Sequence, residues 1–247
     1  MKKEKVIVTI EARMTSSRLP GKVLLESCDK PLLQHMIERI RRCKKIDDIV
    51  VATTINETDD PIVELCQKID CKYFRGSEED VLLRVLYAAE SVEADVIVET
   101  TGDCPLIDWR HIDFLIEIYL DNDYDFVANN IERSFPDGFD IRIFSVDALR
   151  EVNRLSTDKN DHEHVSIYFP KHPEKFSSYN WKAEKAEDKP EIEVTLDEYG
   201  DYLLIDSIFK GLYFRNTDFT CKDVIEYIEK NNHLLNYNKD VKRTVVD

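Results

Sequence analysis

Apolar and polar positions along the first half of the chain follow two alternating periods. Val6-Ile7-Val8-Thr9-Ile10 is a short β-branched run with no polar face, which predicts a strand buried on both sides. Residues 31–43 then place Leu32, Leu33, Met36, Ile37 and Ile40 at helical spacing. The two patterns recur. Residues 48–54 predict a second strand, and Asp60-Pro61 opens a helix with Ile62, Leu65 and Ile69 inward. A short third strand follows at 72–74, a helix at 79–92, a fourth strand at 95–100, a helix at 108–120 and a fifth strand at 125–128. Repeated βα units imply right-handed crossovers and the α/β class, a mostly parallel sheet with helices on both faces. Ligands of such sheets lie beyond the carboxyl ends of the strands. Polar groups gather there: the stretch after strand one, Thr53 and Thr54 after strand two, Arg75 after strand three, Asp103 after strand four.

The second half is less regular. Residues 140–144 alternate as a strand should, 146–155 read as a helix, and 156–161 as a polar connection. A helix over 163–169 should stop before Pro170. Strands are predicted at 176–181 and 191–196, split by the charged segment 182–189, and helices at 199–209 and 222–231. The final residues are expected to fray. Nothing repeats, so residues 1–247 read as one domain with a small appended α+β region near 131–180.

Composition narrows the partners. The net charge of −16 argues against nucleic acid, whose phosphates need clustered cations. No apolar run approaches the ~20 residues that span a bilayer, and Met1-Lys2-Lys3-Glu4-Lys5 leads into the first strand without a signal-peptide core. Cys28, Cys43, Cys66, Cys71, Cys104 and Cys221 form no C-x-x-C pair and read as reduced thiols of a cytoplasmic protein.

Chemistry concentrates after the first strand. Arg13, Arg18 and Lys22 are interleaved with Thr15, Ser16, Ser17 and Gly21. Cations, hydroxyls and a glycine turn can cradle a polyphosphate; an ordinary basic surface loop would have the same composition. Asp103, in Thr101-Gly102-Asp103-Cys104-Pro105, ends the fourth strand as a rigid carboxylate, either a hard ligand for a divalent cation or a turn cap. Asp197 ends the predicted strand 191–196 and is either a second ligand or the cap of the next helix. Arg75, Gly76, Ser77 and Asp80 form a turn that could present donors to a ring edge or simply cap a helix. Asp161-His162-Glu163-His164 resembles a metal site only superficially, because histidines two apart diverge on a helix.

The string Ala12-Arg13-Met14-Thr15-Ser16-Ser17-Arg18-Leu19-Pro20-Gly21-Lys22 resembles the nucleotide-binding signature of the cytidylyltransferase family, which includes the spore coat polysaccharide protein SpsF and the CMP-Kdo and CMP-sialic acid synthetases. Members similar to SpsF often carry Gln where this chain has Glu11, and the change should add a negative charge beside the phosphates. The resemblance covers about residues 5–210. It implies a nucleotide-diphosphosugar-transferase-like fold, a Mg²⁺ cofactor, CTP and a small acidic sugar as substrates, release of pyrophosphate, and a homodimer. It implies nucleotide contacts at Ala12, Arg13, Ser16, Ser17, Arg18, Gly21, Lys22, Thr53, Thr54, Arg75, Gly76, Ser77, Asp80, Thr101 and Gly102. Arg13, Lys22 and Asp103 would be catalytic, and Asp103 and Asp197 would share the metal, which requires their carboxylates to come within roughly 8 Å. Asp137, Gly138, Asp140, Arg142, Glu163 and His164 would face the acceptor, whose charge Arg133 and Arg142 would offset. Family members similar to SpsF commonly read T-x-D-T-P-E-D around Asp197; here Glu198-Tyr199 replaces Thr-Pro, so the helix start should differ. A glycosyltransferase would need a D-x-D motif at a strand end, whereas Asp121-Asn122-Asp123 falls at a helix end. A nucleotide-binding protein without catalysis would not need so complete a loop.

Overall fold

The computed structural model describes residues 3–241. The elements run β1 (Val6–Glu11), β2 (Glu26–Ser27), β3 (Lys30–Pro31), α1 (Leu32–Ile40), β4 (Asp48–Thr54), α2 (Asp60–Lys68), β5 (Lys72–Gly76), α3 (Val81–Ser91), β6 (Val96–Thr101) and α4 (Trp109–Asp121). They continue with β7 (Phe126–Ala128), β8 (Arg142–Ser145), α5 (Val146–Leu155), α6 (Lys159–His164), α7 (Tyr168–Lys171), β9 (Ser178–Asn180), α8 (Tyr199–Leu212) and α9 (Cys221–Lys230). A last 3-10 turn spans Asn232–Tyr237. The residues expected to fray fall mainly on 242–247, outside the described residues.

Seven strands form one sheet in the order β5-β4-β1-β6-β8-β7-β9. β5, β4, β1 and β6 are parallel, and β8 runs antiparallel between β6 and β7. Alternation along β1 explains both faces. Val6, Val8 and Ile10 pack under α1, α2 and α4, whereas Ile7 joins Val50, Ala52 and Ala88 beneath α3. Each fully buried aliphatic side chain contributes about 1.5–3 kcal/mol of transfer free energy, so the β-branched centre is the stable frame of the sheet. Phe126, Phe144 and Phe169 stack on the α3 side, and α8 with α9 closes a third cluster around Phe135, Val194 and Leu196. The 131–180 segment contributes β8 and β9 to the main sheet.

Three expectations need correction. Residues 191–196 form no strand; they pair through one parallel bridge, Asp137 to Glu193. The single helix at 163–169 is two short ones, broken at Val165, whose φ of 53° no helix can contain, and the second runs through Pro170 instead of stopping before it, since a proline in a first turn gives up no intrahelical hydrogen bond. Part of the polar connection at 156–161 already belongs to α6. The tertiary pairing of β2 with β3 had no periodicity to announce it.

Candidate active site

Registers bring the sequence signals to one edge. Glu11 pairs with Ala52 on one side and Thr101 on the other, so the loops after β1, β4 and β6 leave the sheet together. The loop after β1 is held from below. The Ala12 N–H donates to the Ala52 carbonyl, and the Gly21 N–H to the Met14 carbonyl. Asp59 is fully buried and accepts from the Met14 N–H at 2.8 Å, the Thr54 N–H at 3.0 Å, and the Thr53 and Thr54 hydroxyls at 3.0 and 2.6 Å. Both threonine side chains therefore turn inward, as a strand-to-helix turn requires, and neither hydroxyl is available to a nucleotide. Glu78 ties the outer side of the loop, accepting from Thr15 and Asn56, with Arg13 at 3.7 Å. Asp59 and Glu78 are the supports that the sequence did not reveal; each lies more than 40 residues from the loop it holds.

Arg75 is committed to its own surroundings. It donates to the Thr54 and Asn56 carbonyls and to Asp60, so its guanidinium braces the 54–60 turn. Asp80 caps α3 through the Leu83 N–H and holds His162 Nδ1 at 2.9 Å. Burial lowers the affinity of His162 for its proton, but Asp80 and the Ser156 carbonyl outweigh it and raise the imidazole above its ordinary value. Arg13, Ser77, Asp80, His162 and Glu163 line one cleft of about 690 Å³. Of the expected base-side residues Ser77 and Asp80 line this cleft, and of the expected acceptor residues Glu163 does.

The second half of the site is assembled across long sequence separations. The Leu196 N–H donates to the Asp103 carbonyl at 2.8 Å, which sets Asp197 beside Asp103. The same segment is fixed at its other end, where the Asp137 N–H donates to the Ile192 carbonyl, the Val194 N–H donates to the Asp137 carbonyl, and the Thr195 hydroxyl donates to the Asp137 carboxylate at 2.9 Å. Gly138 backs directly onto the Val194–Thr195 peptide. Asp201 accepts from the Asp197 and Glu198 N–H groups at 3.0 and 2.8 Å, forming a capping box with Glu198 at the start of α8. This cap does the work expected of the absent Thr-Pro. Gly102 is required by crowding: a Cβ there would lie 2.9 Å from the Glu11 carbonyl oxygen and 3.3 Å from Ala12 Cβ. Arg39, buried under the Asp103 turn, donates to the Leu106, Ile107 and Phe219 carbonyls and locks it in place.

Between the two carboxylates stands Lys22. Its Nζ is 2.9 Å from Asp103 Oδ2 and 3.1 Å from Asp197 Oδ1, and Arg18 reaches the same Asp197 oxygen at 2.9 Å. The carboxylate oxygens are therefore no further apart than those first two lengths laid end to end, well inside the reach of one hydrated cation. Burial alone would lower the Lys22 ammonium, yet the two carboxylates hold it above its ordinary value. Burial likewise pushes Asp103 up, and Lys22 with Thr101 reverses the sign and keeps it below the usual carboxylate range. Two hard oxygen donors around a cation suit a small divalent ion, with the ammonium as its stand-in. Among the described residues no cluster of three His, Cys, Asp or Glu side chains could hold a metal, so the remaining ligands would be phosphate oxygens and water.

Three further expectations change. Glu11 does not add a full charge. Burial, with Glu99 beside it and Arg84 and Arg142 opposing, raises its carboxyl to about 8, so it is mostly protonated at pH 7 and can donate a hydrogen bond as Gln does. Arg133 forks onto Asp140 at 2.8 and 2.9 Å, and Arg142 lies between Glu99 and Asp140, so an acidic acceptor must compete with carboxylates for either. His164 is half-buried beside Arg142, away from the cleft that Glu163 lines. Ser17 and Arg18 are exposed and Ser16 half-exposed along the open rim of the loop.

A family model described as cytidylyltransferase matches residues 7–241. The chain belongs to the cytidylyltransferase family. The spore coat polysaccharide biosynthesis protein SpsF of Bacillus subtilis is 31% identical over 233 residues, 92% of this chain and 95% of that one. A cytidylyltransferase structure from Leptospira borgpetersenii serovar Hardjo-bovis superposes with a TM-score of 0.90 at 34% identity, covering 98% of this chain and 100% of the other. The 3-deoxy-manno-octulosonate cytidylyltransferase of Escherichia coli is 36% identical over 116 residues, 46% of this chain and 45% of its own length. As a cytidylyltransferase, the chain uses CTP for nucleotidyl transfer. The loop ending at Lys22 and the Asp103 turn lie at the carboxyl edge of its parallel strands, where such folds bind ligands.

Proposed function

We propose that this cytidylyltransferase transfers CMP from CTP to a small acidic sugar, with Mg²⁺, in surface polysaccharide synthesis in the cytoplasm. The observation that carries the reading is the Lys22 ammonium held between Asp103 and Asp197 at the end of a cationic loop. The acidic acceptor is supported by the Escherichia coli relative, whose name specifies an octulosonate. In the reaction a sugar oxygen bonds to the α-phosphorus, and the bond from that phosphorus to the bridging oxygen breaks. The bonding pair leaves with pyrophosphate, and the proton of the attacking hydroxyl passes to solvent. Arg13, Arg18 and Lys22 bind and orient the triphosphate and offset the charge that builds on the leaving group. Asp103 and Asp197 would hold the metal, which when bound polarises the α-phosphate. Gly102 and Arg39 keep Asp103 rigid, so the carboxylate need not reorganise during transfer.

Incubation with CTP, Mg²⁺ and a panel of acidic and neutral sugars should release pyrophosphate with the acids. Asp103→Asn should keep the thermal transition and lose turnover by at least about a hundredfold, the scale of removing one preorganised electrostatic group. Turnover with neutral sugars alone, or full activity in Asp103→Asn, would overturn the reading.

A further inference from the structure

The atoms that must bind a cation are already bound to one. Lys22 Nζ contacts Asp103 Oδ2 and Asp197 Oδ1 together, and Arg18 shares the Asp197 oxygen. The Lys22 side chain is only 12% exposed, so this contact is weakly screened by solvent. A Mg²⁺ ion on both oxygens, through bonds of ~2.1 Å, would occupy the space of the ammonium. The two cannot coexist there, by volume and by charge.

We propose that Lys22 is an internal counter-ion that closes the carboxylate pair to divalent cations until a nucleoside triphosphate arrives. The inference rests on the reading of this site as one for CTP and a metal. Two positive side chains already face two carboxylates, so a divalent cation entering alone gains no net attraction. A triphosphate brings more negative charge than the cation brings positive. It draws Lys22 and Arg18 onto its oxygens, and Asp103 and Asp197 then receive the cation that the phosphates also ligate. The donor set enforces the same order. Among the described residues no group of three or more His, Cys, Asp or Glu side chains could hold a metal, so this pair has no third such ligand, and Mg²⁺ needs six ligands in near-octahedral geometry. Nucleotide and metal therefore bind with positive coupling, and Lys22 is the residue that transmits it. The device prevents the site from filling with free metal that would face the phosphates in the wrong order.

The test is Mn²⁺ binding followed by the loss of the free-ion EPR signal, which needs no turnover. The full chain is titrated as wild type, Lys22→Met, Lys22→Arg and Lys22→Met/Asp103→Asn, with and without a non-hydrolysable CTP analogue. Without nucleotide, Lys22→Met should bind Mn²⁺ at least about tenfold more tightly than wild type, within the usual range of coupling energies. Lys22→Arg should retain the exclusion, and the double variant should lose the gain. Lys30→Met, which removes a lysine paired with Glu38 outside the site, should match wild type. Thermal melts confirm the fold, and Lys22→Gln replaces Lys22→Met if the latter does not fold. If wild type takes up Mn²⁺ with the analogue but Lys22→Met shows no gain without it, the counter-ion role is wrong and the site reading stands. If wild type takes up none even with the analogue, the site reading itself fails.

Discussion

At the scale of single residues, the site is governed by what each carboxylate faces. Asp59 takes four donors and is purely a brace, whereas Asp103 and Asp197 face a lysine and a loop open to ligand. Glu11 is the contrasting case, a carboxyl near the site that holds its proton. In the folded chain it titrates at about 8, against 4.5 ordinarily. Between those values the folded state binds more protons than the unfolded one, so stability falls as pH rises, by at most about 1.4 kcal/mol per unit. Burial is the main cause of the rise, Glu99 and Asp103 add to it, and Arg84 and Arg142 oppose it. Glu11→Gln should therefore flatten the decline. Urea melts from pH 5 to pH 8 should show wild type losing stability relative to the variant; parallel curves would contradict the assignment.

At the scale of elements, legibility followed burial. β1, β4 and β6 each carry a short β-branched apolar run because both faces are covered, and such runs identify themselves. The motif loop and the Asp103 turn were readable for the same reason, since each begins where such a strand stops. The 191–197 segment was not. Its alternation, Glu191 to Leu196, is real, but its partners are two loops and not a sheet, a fact set by Asp137 and Asp103 far away in sequence. The inward turn of Thr53 and Thr54 likewise depended on Asp59 being buried. The start of α8 shows what replaces a missing motif. Asp201 accepts from the N–H groups of Asp197 and Glu198 and from Asn238 Nδ2 at 3.0 Å. Asp201→Ala should cost about 1–3 kcal/mol, the range for orphaning buried hydrogen-bond partners. It should also slow turnover on the order of tenfold to a hundredfold by displacing Asp197. Unfolding curves and steady-state rates on the same samples check both; unchanged kcat would show that the cap does not position the carboxylate.

At the scale of the molecule, the chain divides into a parallel half that carries the cationic loop and a mixed half that brings Asp197 to it. β8 and β9 extend the first sheet, so the mixed half is built onto the parallel one and shares its core. We expect two copies to associate as the resemblance to the synthetases implies, over an obligate interface of ~2,000 Å² or more. Light scattering at micromolar concentration should report twice the chain mass of 29.0 kDa; a monomer would count against it.

The turn at Asn232–Tyr237 has a bearing on how the molecule is made. The Tyr237 carbonyl lies so close to Gly200 that a Cβ there would approach it to 2.2 Å, and Asn238 bonds both Asp201 and the Glu193 carbonyl. A chain leaves the ribosome from its first residue onward. The β1–β4–β5–β6 sheet can therefore form while the rest is still being synthesised, but the clasp on Asp201 cannot close before residue 238 emerges. During translation the cationic loop is therefore complete early, and the Asn238 clasp behind the Asp197 segment is among the last contacts to close.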